Sequence, residues 1–190
     1  MLAAGASRRM RGLDKLAQEV DGMPLLRRQV SMAQATGRPT YVALPAPHHP
    51  RRALIAGLDA SVIAVPDAAE GLSATMRGAV ASLPDCAAFM ILLADLVAIT
   101  TDDLQDVFAA RASQPDHLIW RGATQSGKPG HPIIFDASLR PAFAHLSGDT
   151  GGADIVAAHQ ARTCLVPLPD NHARLDLDTP EDWDDWRRGP

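Results

Sequence analysis

The first sixteen residues combine a run of very small side chains with spaced basic groups. From residue 3 to residue 6 the chain carries almost no side-chain bulk, so its N–H groups could donate hydrogen bonds to a nucleotide lying against the backbone. Arg9 can bind phosphate oxygens as a planar fork and Lys15 as a point charge. We therefore predict a phosphate-binding loop. Its expected nucleotide contacts are Leu2, Ala3, Ala4, Gly5, Ser7, Arg9 and Lys15.

A second candidate for chemistry is an aspartate that follows an apolar run. Residues 88–93 have the length and composition of a strand buried on both faces, and Asp95 comes just after them. Open α/β sheets place their ligands at the carboxyl ends of such strands. Carboxylate oxygens suit a hard divalent cation, for which we expect Mg²⁺, with Mn²⁺ as the alternative. Asp178 is the expected second ligand, and Asp176 is the alternative to it.

These groups suit the transfer of a nucleotidyl unit to a phosphate. Attack of an acceptor phosphate on the α-phosphorus of a nucleoside triphosphate brings two anions together and expels pyrophosphate. Positive charge is therefore the main requirement, and a phosphate that is already ionised at neutral pH requires no general base. We assign the catalytic roles to Arg9, Lys15 and Asp95.

Composition limits the other function classes. The length of 190 residues favours one domain over residues 1–190. The net charge of −4 argues against nucleic acid as a partner. No apolar run approaches the length of a membrane span, and no signal peptide is recognised. We expect a cytoplasmic monomer. Its two cysteines, Cys86 and Cys164, are predicted core residues, because neither has metal-ligand or disulfide spacing.

The elements that position these residues follow from the alternation of strand-like and helix-like runs. This order predicts a three-layer α/β/α sandwich with a mostly parallel central sheet, a Rossmann-like α/β fold. Predicted strands cover residues 40–44, 61–65, 88–93, 118–121 and 132–135. Predicted helices cover residues 24–36 and 51–57. Gly71-Leu72-Ser73 leads into a third helix that runs through Leu83, with Ser73 as its N-cap, and two more begin at Thr100 and Thr179. The chain starts at Met1-Leu2, which leaves only a stub for a first strand, so we expect either a truncated or misassigned start or an unusually short central strand.

The opening loop resembles the signature of the small nucleotidyltransferases, LAAGxSxRMG followed after two residues by KLL. Gly5, Ser7, Arg9, Met10 and Lys15 fall on the positions of that signature, although one extra residue precedes Lys15. Five further segments follow in the order of the same family. They are GLSATM at 71–76, Ala94-Asp95, GKPGHP at 127–132, Gly148-Asp149 and DLDTPED at 176–182.

Overall the chain is most similar to the molybdenum cofactor cytidylyltransferases and their guanylyl-transferring relatives. The resemblance implies that Gly71 and Ser73 contact the nucleotide base and that Asp95 and Asp178 hold the metal. It further implies an acceptor site at Gly130, His131 and Asp149. Two departures concern acceptor handling: Leu96-Val97 replaces the usual Met-Pro, and Ala153 stands where the family has an arginine.

The resemblance also implies the substrates. Ala4 and Ser73 favour CTP as donor, with molybdenum-bound molybdopterin as the phosphorylated acceptor and a molybdoenzyme as recipient of the product. Guanylyl transfer from GTP is the alternative within the class. A chaperone that binds the cofactor without efficient catalysis is the alternative of another class. A glycosyltransferase is a third, with Asp176-Leu177-Asp178 as its only trace of an Asp-x-Asp motif.

Overall fold

The computed structural model describes residues 1–148 and 150–189, so Asp149, an expected acceptor contact, lies outside the described residues. The strands of the described part are Glu19–Val20 (β1), Met23–Pro24 (β2), Thr40–Leu44 (β3), Ala60–Ala64 (β4), Ala88–Ile91 (β5), Ile119–Ala123 (β6), Pro129–Asp136 (β7) and Thr163–Pro167 (β8). Its α-helices are Leu25–Gln34 (α1), Arg51–Leu54 (α2), Leu72–Ala81 (α3), Thr101–Ser113 (α4), Arg140–Phe143 (α5), Ala153–Ala158 (α6) and Pro180–Arg188 (α7).

The central sheet is built from two parts joined by one residue. β3 pairs with β4 in parallel, and a second part has the order β5-β7-β6-β8. Leu2 forms parallel bridges to Ala43 on one side and Leu93 on the other. Only β7 runs against its neighbours, since it is antiparallel to both β5 and β6, whereas β6 and β8 are parallel. The expected α/β fold with a mostly parallel sheet is therefore confirmed.

Apolar residues on both faces of the sheet produce the three layers. On one face Phe89, Phe135 and Phe143 pack together with ring centroids 5.0 to 5.8 Å apart, beneath α3 and α5. On the other face Val42 packs with α1 and α7, and Trp120 packs with α4. No helix of the described residues is both long enough and apolar enough to cross a membrane.

Two helix starts are confirmed by their caps. Thr100 accepts a hydrogen bond from the N–H of Asp103, whose carboxylate accepts from the Thr100 N–H in return. Thr179 and Asp182 form the same reciprocal box before α7. Such a box satisfies N–H groups that the first helical turn leaves free.

Three local predictions are wrong. The N-cap of α3 is Gly71, at φ 118°, and Ser73 lies inside the first turn. Cys86 is exposed because it lies in the turn before β5, although Cys164 is buried as expected. β7 begins at Pro129, three residues earlier than predicted, so Gly130 belongs to a strand rather than to a loop.

The close contact between Gly130 and the backbone of Ala173 can be tested by substitution. A Cβ built on Gly130 would lie 2.1 Å from the backbone oxygen of Ala173, so Gly130→Ala must displace main chain. We expect a loss of about 3 kcal/mol in the free energy of unfolding, measured by urea denaturation. Gly5→Ala is the matched control, because its Cβ would have nothing within 4 Å. Its effect should stay under about 0.5 kcal/mol, and equal losses in both variants would contradict this packing argument.

Candidate nucleotide site

The opening loop leaves the sheet directly after Leu2 and turns twice over its edge. Ala3 and Ala4 are buried, and short 3₁₀ helices follow at Arg8–Met10 and Lys15–Ala17. Ser7 and Arg11 adopt left-handed backbone conformations, with φ of 49° and 51°. The buried Met10 side chain packs into the core and holds the tip of the loop against the body.

A buried arginine from outside the loop sets the shape of the loop. The Arg51 side chain is 4% exposed. It donates to the Ala3 carbonyl at 2.6 Å, to Ser7 Oγ at 3.1 Å and to both carboxylate oxygens of Asp14 at 2.7 Å. Asp14 also accepts from the Leu16 N–H at 3.0 Å. One guanidinium therefore ties the beginning of the loop to its end.

The sequence does not identify Arg51 or Asp14 as site residues. Arg51 begins a short predicted helix, and no pattern around it predicts the direction of its side chain. Its burial depends on the position of that helix beside the loop.

The predicted cations and acids meet at the edge of the sheet. The Lys15 ammonium donates to Asp95 and, at 2.9 Å, to Asp178 Oδ1. Arg9 pairs with the other oxygen of Asp178 at 2.5 Å, while its side chain remains 69% exposed. Lys15 comes from the loop, Asp95 follows β5 and Asp178 precedes α7, so three distant parts of the chain meet at one ammonium group.

Asp176 joins the same acidic cluster. One carboxylate oxygen from each of Asp95, Asp176 and Asp178 lies within 4.8 Å of the others. Burial, together with the charges of the two neighbouring aspartates, raises the pKa of Asp176. Burial alone would also raise the pKa of Asp178, but Lys15 and Arg9 outweigh it and lower that pKa. The cluster thus contains one carboxylate that pairs with two cations and one that is poorly compensated.

Backbone pairing brings the acidic segments together. Leu96 forms an antiparallel bridge with Asp176, which aligns the segment after β5 with the segment before α7. The fully buried Gln29 of α1 donates its amide to the Leu96 carbonyl at 2.8 Å. On the other side of Asp95 the Ala94 N–H donates to the Leu2 carbonyl at 3.1 Å, so hydrogen bonds to both neighbouring residues place Asp95.

The loop and the acids border an open cleft of about 970 Å³. This volume lies within the range of pockets that hold small-molecule ligands. Its walls include the loop at residues 2–9, Lys15, Arg51, Asp95 and Asp178, and the start of α3 at Gly71, Leu72 and Thr75.

Ser73 is placed differently from the other expected nucleotide contacts. Its side chain is buried, with the residue 1% exposed. The hydroxyl donates to the Ser147 carbonyl and accepts from the Gly151 N–H, both at 3.1 Å. Ser73 therefore fastens α3 to the segment before α6, while Leu72 and Thr75 of the same turn line the cleft.

The expected acceptor residues Gly130 and His131 lie at the start of β7. The His131 N–H donates to the Ala173 carbonyl at 2.8 Å. Burial is the main cause that lowers the pKa of His131 to about 4, and Arg121 lowers it further while Asp95 opposes the shift. A hydrogen bond with the Ile91 backbone also opposes the shift, and the imidazole is neutral at pH 7.

The fold is that of the nucleotidyltransferases. Comparison with solved structures finds Rv0371c from Mycobacterium tuberculosis H37Rv, with 25% identity, a TM-score of 0.80, and coverage of 98% of this chain and 93% of that one. A manganese complex of Rv0371c matches at 22% identity and a TM-score of 0.80, with coverage of 100% and 96%. The CMP:2-keto-3-deoxy-manno-octonic acid synthetase complexed with CTP matches at 11% identity and a TM-score of 0.73, with coverage of 98% and 95%.

The family itself is shown by the sequence. The model of the MobA-like NTP transferase domain matches residues 1–163, so the chain belongs to that family. Comparison with curated proteins finds no match.

Replacing Arg51 tests its role as the anchor of the loop. Arg51→Met leaves the Asp14 carboxylate and the Ala3 carbonyl without their main donor. Since removing one partner of a buried ion pair is strongly destabilising, we expect the free energy of unfolding at pH 7 to fall by about 3 to 5 kcal/mol. Arg52→Met is the control, because the neighbouring Arg52 is exposed and its side chain donates, within the described part of the chain, to the Pro47 carbonyl alone.

The Arg51–Asp14 ion pair makes the loss of unfolding free energy in Arg51→Met depend on pH. Burial alone would raise the pKa of Asp14, but the hydrogen bond and charge of Arg51 lower it overall. A lowered pKa in the folded state stabilises the protein above the pKa of the unfolded chain, and this contribution is lost as the pH falls through the folded value. The difference between wild type and Arg51→Met should therefore shrink below about pH 4 in urea denaturation series. A constant difference down to pH 2 would contradict this account.

Proposed function

We propose that this protein transfers a cytidylyl group from CTP to the phosphate of molybdenum-bound molybdopterin and releases pyrophosphate. The observation that carries the proposal is the meeting of Lys15, Asp95 and Asp178 beside a small-residue loop at the carboxyl edge of the sheet. Membership of the MobA-like NTP transferase family supports nucleotidyl transfer in general. The identity of the base and that of the acceptor go beyond this membership and are part of the proposal. We further propose that the chain acts as one domain, as a cytoplasmic monomer, and supplies a molybdoenzyme.

A divalent cation fits the acidic cluster. Asp95, Asp176 and Asp178 offer three carboxylate oxygens close together, which is the oxygen-only donor set that Mg²⁺ and Mn²⁺ prefer. When bound, the cation would neutralise phosphate charge and orient the triphosphate. Asp176 and Asp178 therefore serve together with Asp95 in this proposal, rather than as alternatives. The manganese complex of Rv0371c supports divalent metal use by a protein of this fold.

Arg9 and Lys15 have a second set of partners when the triphosphate enters. Without it, both cations pair with Asp178 and thereby neutralise the acidic cluster. Arg9 is largely exposed and free to turn toward the β- and γ-phosphates. Its departure, together with a shift of Lys15, would release both oxygens of Asp178. The charge of the leaving pyrophosphate is then stabilised by the two side chains that previously compensated the acids.

The start of α3 supports recognition of a small base. Helix N-terminal N–H groups have no intrahelical partner, and that of Leu72 lies at the cleft, where cytosine offers carbonyl and ring-nitrogen acceptors. Ala4 leaves room for the base. The Ala3 carbonyl already accepts from Arg51, so it has one remaining lone pair for the cytosine amino group. The CTP complex of a synthetase with this fold supports the same donor, and GTP is the alternative.

The reaction can be tested by the pyrophosphate that it releases. With Mg²⁺ and molybdenum-loaded molybdopterin, we expect release with CTP and at least about tenfold less with GTP, ATP or UTP. Asp95→Asn should reduce the rate by at least about a hundredfold, because it removes charge from the metal site.

Asp106→Asn is the matched control, because Asp106 is exposed on α4, away from the cleft. It should retain the wild-type rate. Release with GTP alone would support guanylyl transfer. Binding of the pterin without release from any nucleotide, beside an active relative, would support the chaperone alternative and contradict the proposal.

Metal binding can be measured apart from catalysis. In Mn²⁺ titrations followed by electron paramagnetic resonance, Asp176→Asn and Asp178→Asn should each weaken binding by at least about tenfold. Asp184→Asn is the control, since that side chain is 72% exposed on α7. Wild-type affinity in both cluster variants would contradict the assignment of the metal to these residues.

A further inference from the structure

Two arginines outside the nucleotide cleft converge on the start of β7. Arg121 lies in β6 and donates its Nε–H to the Gly130 carbonyl at 2.9 Å. Arg174 lies in the segment that follows β8 and donates an Nη1–H to the Pro129 carbonyl at 2.7 Å. Two guanidinium groups from different segments are thus held on successive carbonyls of one strand.

The close packing of β7 is what brings them together. Gly130 has no side chain and lies against the backbone of Ala173, the residue before Arg174. The His131 N–H donates to the Ala173 carbonyl at 2.8 Å, so the turn at residues 171–174 that carries Arg174 is fastened to β7. Each arginine uses one N–H on the backbone and keeps the others for another acceptor.

The two positive charges favour an anion as the ligand of this pair. In residues 1–148 and 150–189, neither Arg121 nor Arg174 has a carboxylate within ion-pair distance. Burial and then the charge of Arg174 lower the pKa of Arg121, as expected for like charges held near each other. A negatively charged group between the two would relieve this repulsion.

The arginine pair also lies beside Gly130 and His131, the acceptor residues that the family resemblance implies. The charges of both Arg121 and Asp95 act on the pKa of His131, so this imidazole is near the arginine and near the acidic cluster. Its Nδ1 is buried and has no hydrogen-bond partner among the described residues. The neutral imidazole of His131 thus lies near both the acidic cluster and the positive charge of Arg121.

We propose that Arg121 and Arg174 form an anion-binding subsite that holds an oxyanion of the acceptor, such as a phosphate. This inference rests on the proposed nucleotidyl transfer, to which it adds the residues that recognise the acceptor. Arginine suits this role because its fork can donate two parallel hydrogen bonds to one oxyanion. The two backbone hydrogen bonds hold both forks before the anion arrives, which reduces the entropy cost of binding.

Inorganic phosphate tests the subsite without any reaction. In buffer with EDTA, phosphate should raise the melting temperature of the wild-type protein in a saturable way. The half-saturating concentration should rise at least about tenfold in Arg121→Gln and in Arg174→Gln, because each loses charge-assisted hydrogen bonds. Arg162→Gln is the matched control, since Arg162 also donates to a backbone carbonyl, that of Asp116, but lies at the opposite end of β8. It should respond as the wild type does.

A kinetic measurement on the same variants completes the test. In the transfer assay, Arg121→Gln should raise the KM of the pterin acceptor at least about tenfold and leave the KM of CTP unchanged. A wild-type phosphate response in both variants, or no response in the wild type, would overturn the subsite. If the wild type shows no transfer at all, the proposed function fails, while the phosphate titration still decides about the subsite.

Discussion

The Lys15 ammonium group, held between the carboxylates of Asp95 and Asp178, is the interaction on which the site depends. Its partners are 80 and 163 residues away in sequence. Three partly buried charges are costly to bring together unless each is compensated, because burial disfavours the charged form of every one of them. The loop, the end of β5 and the segment before α7 must therefore be placed correctly relative to each other. Each of these segments is held in place by hydrogen bonds to its backbone.

Those supports are separate from the charged groups that they position. Arg51 holds the loop closed through its contacts with Ala3 and Asp14. Gln29 and the Leu96–Asp176 bridge hold the two acidic segments. A substitution of the uncharged Gln29 should thus change the geometry of the site without changing its charge. This separation lets Arg9 exchange partners while the scaffold beneath it stays the same.

The sequence predicted what local pattern determines. The strand at Thr40–Leu44 and the capped helix starts at Thr100 and Thr179 were predicted correctly, because apolar runs and capping residues act over a few positions. The sequence analysis assigns Lys15 and Asp95 to one catalytic site, and the structure places the two side chains in contact. Their roles in a reaction stay predictions.

Errors arose where distant contacts decide the structure. Ser73 has the composition of an N-cap, but Ser147 and Gly151 bind its hydroxyl from the other side of the cleft. Gly130 looks like a loop residue, yet it is a strand residue because β6 and the segment at Ala173 lie on both sides of it. Arg51 and Arg121 carry no motif at all, and their positions follow only from the assembled sheet.

The bridges of Leu2 have a consequence for cooperativity. This residue joins the β3–β4 part of the sheet to the β5–β8 part, through hydrogen bonds at Leu92 and Ala94 on one side, while Ala3 binds Ala43 on the other. The joint consists of a single bridge residue, whereas β3 and β4 pair at five positions, so the backbone there is the place where the two halves can open separately. The nucleotide loop begins at the next residue. A ligand that fastens the loop would therefore also close this seam, and amide protons of both halves would become more slowly exchanging together.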